Sequence, residues 1–337
     1  MRSILIVRLG ALGDILHAIP VAAALRARFP NARIDWVVDE RHGAILDLVP
    51  AVNRRVVLRT LSASLPARIV QIRRDLVAER YEVAVDLQGL VKSAVVAKFS
   101  GAPRVLGFTT AHLRESVASI FYTDRQDPVA ALHVIRKNLT LAGALGADAS
   151  VIRFPLRIPA SPVTEVIRAR LGHHRGFVVL NPGAAWASKR WLPERFGAVA
   201  QWLRRVCDLV SVVTWGPGDK TAAAAVVASA AGSAELAPAT GVADLAAVMQ
   251  EAALVVSGDT GPAHLAAAVG TPLVGLFGPT NPTRNGPWSK TDLTVSRFPE
   301  CRCHHRRRCS AARWCLEDIS VNDVTDAITR RLEERTP

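Results

Sequence analysis

The chain has 337 residues, half of them hydrophobic, with a mean hydropathy of +0.20 and a formal net charge of +13. This length predicts two domains, and the hydrophobic fraction is too high for a disordered chain. No uninterrupted apolar stretch approaches the roughly 18 residues that a membrane-spanning helix needs. The positive charge favours an anionic partner, and it leaves nucleic acid, acidic lipid, phosphorylated substrates and simple solubility open.

Apolar strand-like runs alternate with helical patterns over the first 145 residues. The predicted strands are Ile4–Val7, Ile34–Val38, Val56–Leu58 and Val83–Leu87, and the predicted helices cover Ile15–Arg28, 42–48, Ile69–Glu79 and the segment from Gln88 to Val96. This alternation is typical of a doubly wound parallel sheet. The glycines and Asp14 that follow the first strand break the apolar run of a secretion signal, so a soluble, cytoplasmic protein is expected.

A segment with three prolines separates this pattern from a second one. Residues 154–176 are predicted to be a linker with a first helix at 163–171, between a domain over 1–153 and a domain over 177–319. In the second domain the predicted strands are Phe177–Leu180, Val210–Trp215, Leu254–Val256 and Leu273–Phe277, and the predicted helices are Pro193–Val206 and Ala263–Val269. Residues 320–337 are predicted to form a C-terminal helix, with packing back on the first domain as one possibility.

Polar residues follow the predicted strands, at the sheet edge where parallel α/β sheets bind ligands. Thr260 and Gly261 begin a helix, whose N-terminus favours a diphosphate, and Asp259 is suited to bind sugar hydroxyls. His264 lies one turn further along this helix. A plain helix cap and a core histidine are the alternative interpretation of these residues.

Two other loops of the second domain carry candidate ligand contacts. Lys189 is suited to bind a phosphate, and Gly183 in the same loop offers a polar backbone contact. Trp215 and Gly216 end the next strand, where glycines permit a close approach of the ligand.

In the first domain the glycine loop carries a carboxylate, Asp14, at a helix N-terminus. A carboxylate there is held ionised by the helix dipole, and it can accept the proton of an attacking hydroxyl. An ordinary N-cap is the alternative. A phosphate is therefore expected in the second domain, and Asp14 is the predicted general base.

These stretches together resemble a known family. The segments ILIVRLGALGDILHAIP at the N-terminus, IDWVVDE at 34–40, DLQGLVKSA at 86–94 and SGDTGPAHLAAAVGTP at 257–272 are similar to bacterial lipopolysaccharide heptosyltransferases, most of all to heptosyltransferase I. The resemblance implies an α/β GT-B architecture, with two Rossmann-like domains of doubly wound parallel sheets that face a cleft. It implies an acceptor-binding first domain and a nucleotide-sugar-binding second domain.

The resemblance also implies an activity and a set of site residues. The enzyme would move L-glycero-D-manno-heptose with inversion from ADP-heptose to Kdo of Kdo2-lipid A, an anionic acceptor, in lipopolysaccharide inner-core synthesis. Asp14 would be the base, and the other implied residues are Lys189, Asp259, Thr260, Gly261, His264, Gly183, Trp215 and Gly216 at the donor, and Gly13, Arg59, Gln88 and Arg114 at the acceptor. No metal ion or other cofactor is required for this chemistry. A monomer in peripheral contact with the inner face of the cytoplasmic membrane is expected, and no nucleic acid partner.

Four of the five cysteines lie close together near the C-terminus, at Cys301, Cys303, Cys309 and Cys315. A structural zinc or iron ion is one interpretation, although the spacing is not that of a standard zinc finger.

The alternatives to the main hypothesis are a family member with another sugar or acceptor, such as a heptosyltransferase II-like or protein heptosyltransferase, a nucleotide-sugar epimerase, and a basic nucleic-acid-binding protein with a Cys/His metal tail.

Overall fold

The structure is a computed structural model that describes residues 1–58, 73–128, 133–172 and 174–334. The chain divides into two compact units, Met1–Arg157 (unit 1) and Ile158–Pro337 (unit 2). The division falls inside the segment 154–176 that the prolines mark in the sequence.

Unit 1 is a six-stranded parallel sheet with helices. Its strands are β1 (Ser3–Val7), β2 (Arg33–Asp39), β3 (Arg54–Leu58), β4 (Val83–Asp86), β5 (Arg104–Phe108) and β6 (Asp124–Gln126), in the spatial order β3-β2-β1-β4-β5-β6. Its helices are α1 (Leu12–Leu16), α2 (Ile19–Arg28), α3 (Val91–Phe99) and α4 (Val134–Gly143), and residues 73–77 are also helical. Three 3-10 helices cover Glu40–Leu48, Thr110–His112 and Ser116–Phe121.

The predicted first helix is wrong in one respect, because the structure splits it into α1 and α2. Pro20 is the reason: it occupies the first turn of α2. A proline is well placed there but cannot donate an N–H bond to an earlier turn. Strand β1 is as predicted, and its residues Ile4–Val7 are completely buried, as expected for a central strand covered on both faces.

Unit 2 repeats the same architecture. Its strands are β7 (Phe177–Asn181), β8 (Val210–Val213), β9 (Ala234–Leu236), β10 (Leu254–Gly258), β11 (Leu273–Phe277) and β12 (Leu293–Ser296), in the order β12-β11-β10-β7-β8-β9. Its helices are α5 (Pro162–Leu171), α6 (Pro193–Cys207), α7 (Lys220–Ser229), α8 (Val242–Glu251), α9 (Gly261–Val269), α10 (Pro282–Asn285) and α11 (Val321–Glu333). Two 3-10 helices cover Ala187–Lys189 and Cys315–Asp318.

The C-terminal helix α11 packs on unit 2. Val324 and Ile328 are completely buried in the core of that unit. Arg331 forms an ion pair with Asp292, with 3.0 Å between Nε and Oδ1. None of the helices in the described part of the chain is both long enough and apolar enough to cross a membrane.

The strand order determines where each unit can bind a ligand. In each sheet the order reverses between two neighbouring strands, β1 and β4 in unit 1 and β7 and β10 in unit 2. At such a reversal the following loops diverge and leave a crevice at the carboxyl ends of the strands. The segments that follow these four strands carry Asp14 (in the first turn of α1), Gln88, Lys189 and Asp259.

Candidate functional site

In unit 2 the loops after β7 and β10 bring a lysine, an aspartate and a histidine together. Lys189 Nζ lies 2.6 Å from Asp259 Oδ2 and also donates to the Asp259 backbone carbonyl at 3.1 Å. His264 Nε2 lies 3.2 Å from Asp259 Oδ1. The Asp259 side chain is 4% exposed and that of Lys189 is 16% exposed. This cluster, Lys189–Asp259–His264, is therefore nearly closed to water.

The charge of Asp259 is stabilised although the residue is buried. Burial by itself raises the pKa of a carboxyl group, but the hydrogen bond and charge of His264, together with Lys189, hold the pKa of Asp259 well below its usual range. Asp259 is therefore a carboxylate throughout the physiological pH range. It can accept hydrogen bonds from hydroxyl groups that approach the cluster.

Helix α9 begins directly after this aspartate. Thr260 is its N-cap residue, and Gly261 and a proline form its first turn. The first turn of a helix leaves backbone N–H groups without intrahelical partners, and the helix dipole makes that end favourable for anions. Lys189 lies beside this helix end, so the lysine ammonium and the N-terminus of α9 create positive potential at the same place.

The Asn181 side chain holds the ends of β7 and β10 together. Its Nδ2 donates to Ser257 Oγ at 3.0 Å, to Thr260 Oγ1 at 3.3 Å and to the Gly183 carbonyl at 3.2 Å. Asn181 is 4% exposed. It therefore fixes the Lys189 loop relative to the start of α9.

Gly183 allows a second carboxylate to approach the same loop. A Cβ atom at Gly183 would overlap the carboxyl group of Asp219. Arg190 connects this carboxylate to the loop, because it donates to Asp219 Oδ1 at 3.0 Å and to the Ala184 carbonyl at 2.9 Å. Burial raises the pKa of Asp219, and Arg190 opposes that effect.

Trp215 and Gly216 lie at the end of β8, next to this carboxylate. The Trp215 indole donates to the Ala237 carbonyl at 2.9 Å, and the Lys220 ammonium lies 5.3 Å from the ring centroid. Gly216 faces Asp219 without a clash. Trp215 and Gly216 thus lie near Asp219 and Lys220, just after the carboxyl end of β8.

In unit 1 the loop after β1 presents Asp14. The Asp14 side chain is 45% exposed, and its Oδ1 lies 2.7 Å from Arg8 NH2. Its Oδ2 accepts the Ala11 backbone N–H at 3.1 Å. Arg8 is 9% exposed and also donates to the Leu87 carbonyl. The carboxylate is therefore oriented by a buried guanidinium and remains accessible to a substrate.

Two of the other predicted residues of unit 1, Gln88 and Gly13, lie close to the Asp14 segment. Gln88 Oε1 accepts the Leu9 N–H at 2.7 Å, so it ties the end of β4 to the Asp14 loop, and Gly13 lies within α1. Arg114 is exposed, and the preceding Leu113 packs against Gly89. Arg59 and residues 69–72, the start of the predicted helix over Ile69–Glu79, lie outside the described residues, while residues 73–77 of that segment are helical.

Two residues beside Asp14, Arg8 and His42, were not predicted from the sequence. Arg8 was not singled out, because an arginine after a strand has many common roles. His42 packs against Gly10 of the Asp14 loop, and burial lowers its pKa. Its only sequence signal is its position just after β2, the strand next to β1.

The four clustered cysteines form two pairs. Cys303 Sγ lies 2.7 Å from Cys309 Sγ, and Cys315 is hydrogen-bonded to Cys301. Two thiolates on one tetrahedral zinc ion, with Zn–S bonds of about 2.3 Å, would lie more than 3.5 Å apart. Within the described ranges, no group of three or more His, Cys, Asp or Glu residues is arranged to hold a metal ion. A structural zinc or iron ion there stays a prediction.

Comparison with known proteins gives the family. The model of glycosyltransferase family 9 (heptosyltransferase) matches residues 69–315. The chain belongs to this family. Its fold is therefore of the GT-B type, and it is a glycosyltransferase, which favours sugar transfer over the epimerase and nucleic-acid-binding alternatives.

Individual family members are similar over nearly the whole chain. Lipopolysaccharide heptosyltransferase 1 of Pseudomonas aeruginosa is 28% identical over 89% of this chain and 85% of its own length. Lipopolysaccharide heptosyltransferase 3 of Escherichia coli is 30% identical over 96% of this chain and 97% of its own. The structure of E. coli heptosyltransferase WaaC with ADP matches with a TM-score of 0.78 at 25% identity, over 98% of this chain and 99% of that one.

Proposed function

We propose that this family 9 glycosyltransferase transfers L-glycero-D-manno-heptose from ADP-heptose to Kdo of Kdo2-lipid A in lipopolysaccharide synthesis. The observation that carries the proposal is the convergence of Lys189 and the N-terminus of α9 on Asp259. A mostly enclosed lysine beside a helix end suits a diphosphate, and the buried carboxylate suits a sugar rich in hydroxyl groups. WaaC, a solved relative, has been crystallised with ADP and with ADP-2-deoxy-2-fluoro heptose.

In this proposal unit 2 binds the donor. Lys189 and the first-turn N–H groups of α9 compensate the negative charge that develops on the ADP leaving group. Asp259 and His264 bind heptose hydroxyls, and Gly183, Trp215 and Gly216 border the nucleotide. Because Lys189 and the helix supply the positive charge, no metal ion is needed to stabilise the diphosphate.

Asp14 in unit 1 then acts as the general base. The acceptor hydroxyl oxygen bonds to the anomeric carbon as the bond from that carbon to the diphosphate breaks. The proton passes to Asp14, and the bonding electron pair leaves with ADP. The configuration of the anomeric carbon is inverted because the hydroxyl attacks the face opposite the leaving group. Arg8 keeps the carboxylate oriented, and Gln88, Gly13, Arg59 and Arg114 contact the acidic acceptor.

The test is ADP release with ADP-heptose and Kdo2-lipid A, compared with UDP- and GDP-sugars as donors. Replacing the base by Asp14→Asn should lower kcat by about 10²- to 10⁴-fold, because proton acceptance is lost. The affinity for ADP should not change. Asp47→Asn is the control, since this carboxylate is 57% exposed and pairs only with Arg55 among the described residues. An Asp14→Asn enzyme with most of the wild-type rate would exclude Asp14 as the base.

A second acceptor is supported by the similarity to a heptosyltransferase 3 over 96% of this chain. In that case the acceptor would be a lipid A core that already carries heptose. Parallel assays with Kdo2-lipid A and with its heptosylated product distinguish the two. Transfer to the heptosylated acceptor alone would reassign the acceptor and leave the donor site unchanged.

A further inference from the structure

Ser188, which directly precedes Lys189, is attached to a segment more than 100 residues away. Its Oγ donates to the Arg306 carbonyl at 2.7 Å, and its backbone N–H donates to the Arg307 carbonyl at 3.3 Å. Ser188 is 2% exposed, so water cannot readily replace either bond. The short 3-10 helix that carries Lys189 is thus anchored from outside by two consecutive carbonyls.

Residues 301–309, which we call the cysteine loop, hold these two carbonyls in place. The Cys303 and Cys309 sulfur atoms meet at 2.7 Å, and the Arg306 N–H donates to the Cys303 carbonyl at 3.1 Å. The His305 N–H donates to the carbonyl of Pro279, just after β11, at 2.9 Å. The loop is therefore closed on itself and attached to the sheet.

The cysteine loop also lies within electrostatic range of the Lys189–Asp259–His264 cluster. The pKa of His305 is lowered first by burial and then by the positive charges around it, among them Lys189, while Asp259 acts in the opposite direction. The loop is thus a neighbour of the donor cluster. It is not merely a distant support for the Lys189 segment.

We propose that Ser188 is a positioning residue for Lys189 and that the cysteine loop is part of the donor site. The inference rests on the proposed binding of the donor diphosphate by Lys189. A lysine side chain has four flexible carbons, so its affinity for a diphosphate depends on how well its backbone is fixed. Ser188 transmits the position of the Arg306 and Arg307 carbonyls to that backbone.

A double-mutant cycle on ADP binding tests the inference. By calorimetry, Ser188→Ala should weaken ADP binding about fivefold, the effect of one lost hydrogen bond. In the Lys189→Ala background the same change should have less than about a twofold effect, because Ser188 acts through Lys189. The control is Ser211→Ala in β8, since Ser211 is completely buried and its Oγ has no hydrogen-bond partner in the described structure. Equal effects in both backgrounds, or none with the protein folded, would overturn the proposal.

A second variant tests the loop independently of Ser188. Cys303→Ala opens the contact with Cys309 and should also weaken ADP binding several-fold, with no change in KM for the acceptor. Cys207→Ala, at the end of α6, is the matched control. An unchanged ADP affinity in folded Cys303→Ala would remove the loop from the donor site.

The two proposals can fail separately. ADP affinity is measured without turnover, so a wild-type protein that binds ADP but transfers no heptose refutes the proposed function and leaves this inference standing. A wild-type protein that does not bind ADP overturns both.

Discussion

Asp259 shows how one residue links the site to stability. It is buried, yet it remains charged because Lys189 and His264 face its two oxygens. Removing one member of a buried pair leaves the other unpaired, which costs more than the pair itself contributes. Loss of any one member of the Lys189–Asp259–His264 cluster is therefore expected to destabilise unit 2.

This pairing predicts a specific pH dependence. The folded-state pKa of Asp259 lies below its ordinary value of 3.8. The stabilisation is therefore complete at pH values above about 4, and it is lost as the pH falls through the folded-state pKa. We expect Asp259→Asn to lower the free energy of unfolding by about 3 kcal/mol at pH 7, with a smaller difference at pH 3.

Urea unfolding at pH 7, 5 and 3 measures this difference. The exposed Asp47→Asn serves as control, and it should change the free energy of unfolding by less than about 1 kcal/mol at every pH. A deficit for Asp259→Asn that stays constant from pH 7 to pH 3 would contradict the explanation by its charge.

The site residues that the sequence predicts follow predicted strands, whereas Arg8 is recognisable only from its tertiary contacts. Asp14, Lys189 and Asp259 follow predicted strands, and the edge where parallel strands end is known from the pattern alone. Arg8 was beyond such reasoning. Its role depends on the loops after β1 and β4 meeting, which places both Asp14 and the Leu87 carbonyl within its reach.

At the scale of elements, the conformation of the loop after β7 depends on Gly183, which has no side chain. Gly183 lies against the carboxyl group of Asp219, which Arg190 holds. We expect Gly183→Ala to displace Asp219 and break its pair with Arg190, which should lower the free energy of unfolding by about 1–3 kcal/mol. Because the loop that carries Lys189 shifts with it, ADP binding should also weaken.

Gly143→Ala is the matched control for this substitution. Its added Cβ would lie 3.5 Å from the Cβ of Ala149, an ordinary contact in unit 1. Calorimetric titration with ADP compares the two variants. A Gly183→Ala protein with wild-type affinity would show that the close approach of Asp219 has no bearing on the nucleotide.

Element prediction succeeded for the long apolar runs and missed the shorter or mixed ones, among them β5, which is buried but carries an arginine and a glycine in its five residues. The central strands β1, β4, β7 and β10 are continuous apolar runs and are found at their predicted places. The outer strands β6, β9 and β12 have three or four residues each and were not predicted, because they are only partly apolar. Such short runs look like loops until a neighbouring strand pairs with them.

At the scale of the whole molecule, the net charge of +13 bears on the acceptor proposed above. Lipid A precursors and phospholipid headgroups are anionic, so long-range attraction should bring the protein to a membrane surface. This attraction is screened at high salt, since the Debye length falls from about 10 Å at 0.1 M to about 3 Å at 1 M.

We therefore expect salt-dependent binding to membranes. Sedimentation with vesicles that contain anionic phospholipid should recover most of the protein at 0.1 M salt and little at 1 M. Purely zwitterionic vesicles are the control and should bind little at either concentration. Equal binding to both kinds of vesicle, or binding that salt does not affect, would show that charge does not direct the protein to the membrane.

Patterns along the chain were enough to predict the fold class, the two-unit organisation and the family. Hydrophobic periodicity is local, and motifs such as Gly258–Gly261 lie within a few residues. The tertiary structure decided which groups act together: Arg8 with Asp14, Lys189 with Asp259, and Ser188 with the cysteine loop. Lys189 and Asp259 are 70 residues apart, and Ser188 and Arg306 are 118 apart, so only the folded chain brings these pairs within hydrogen-bond distance. Arg8 and Asp14 are six residues apart, and their pair depends on the path that the chain takes between β1 and α1.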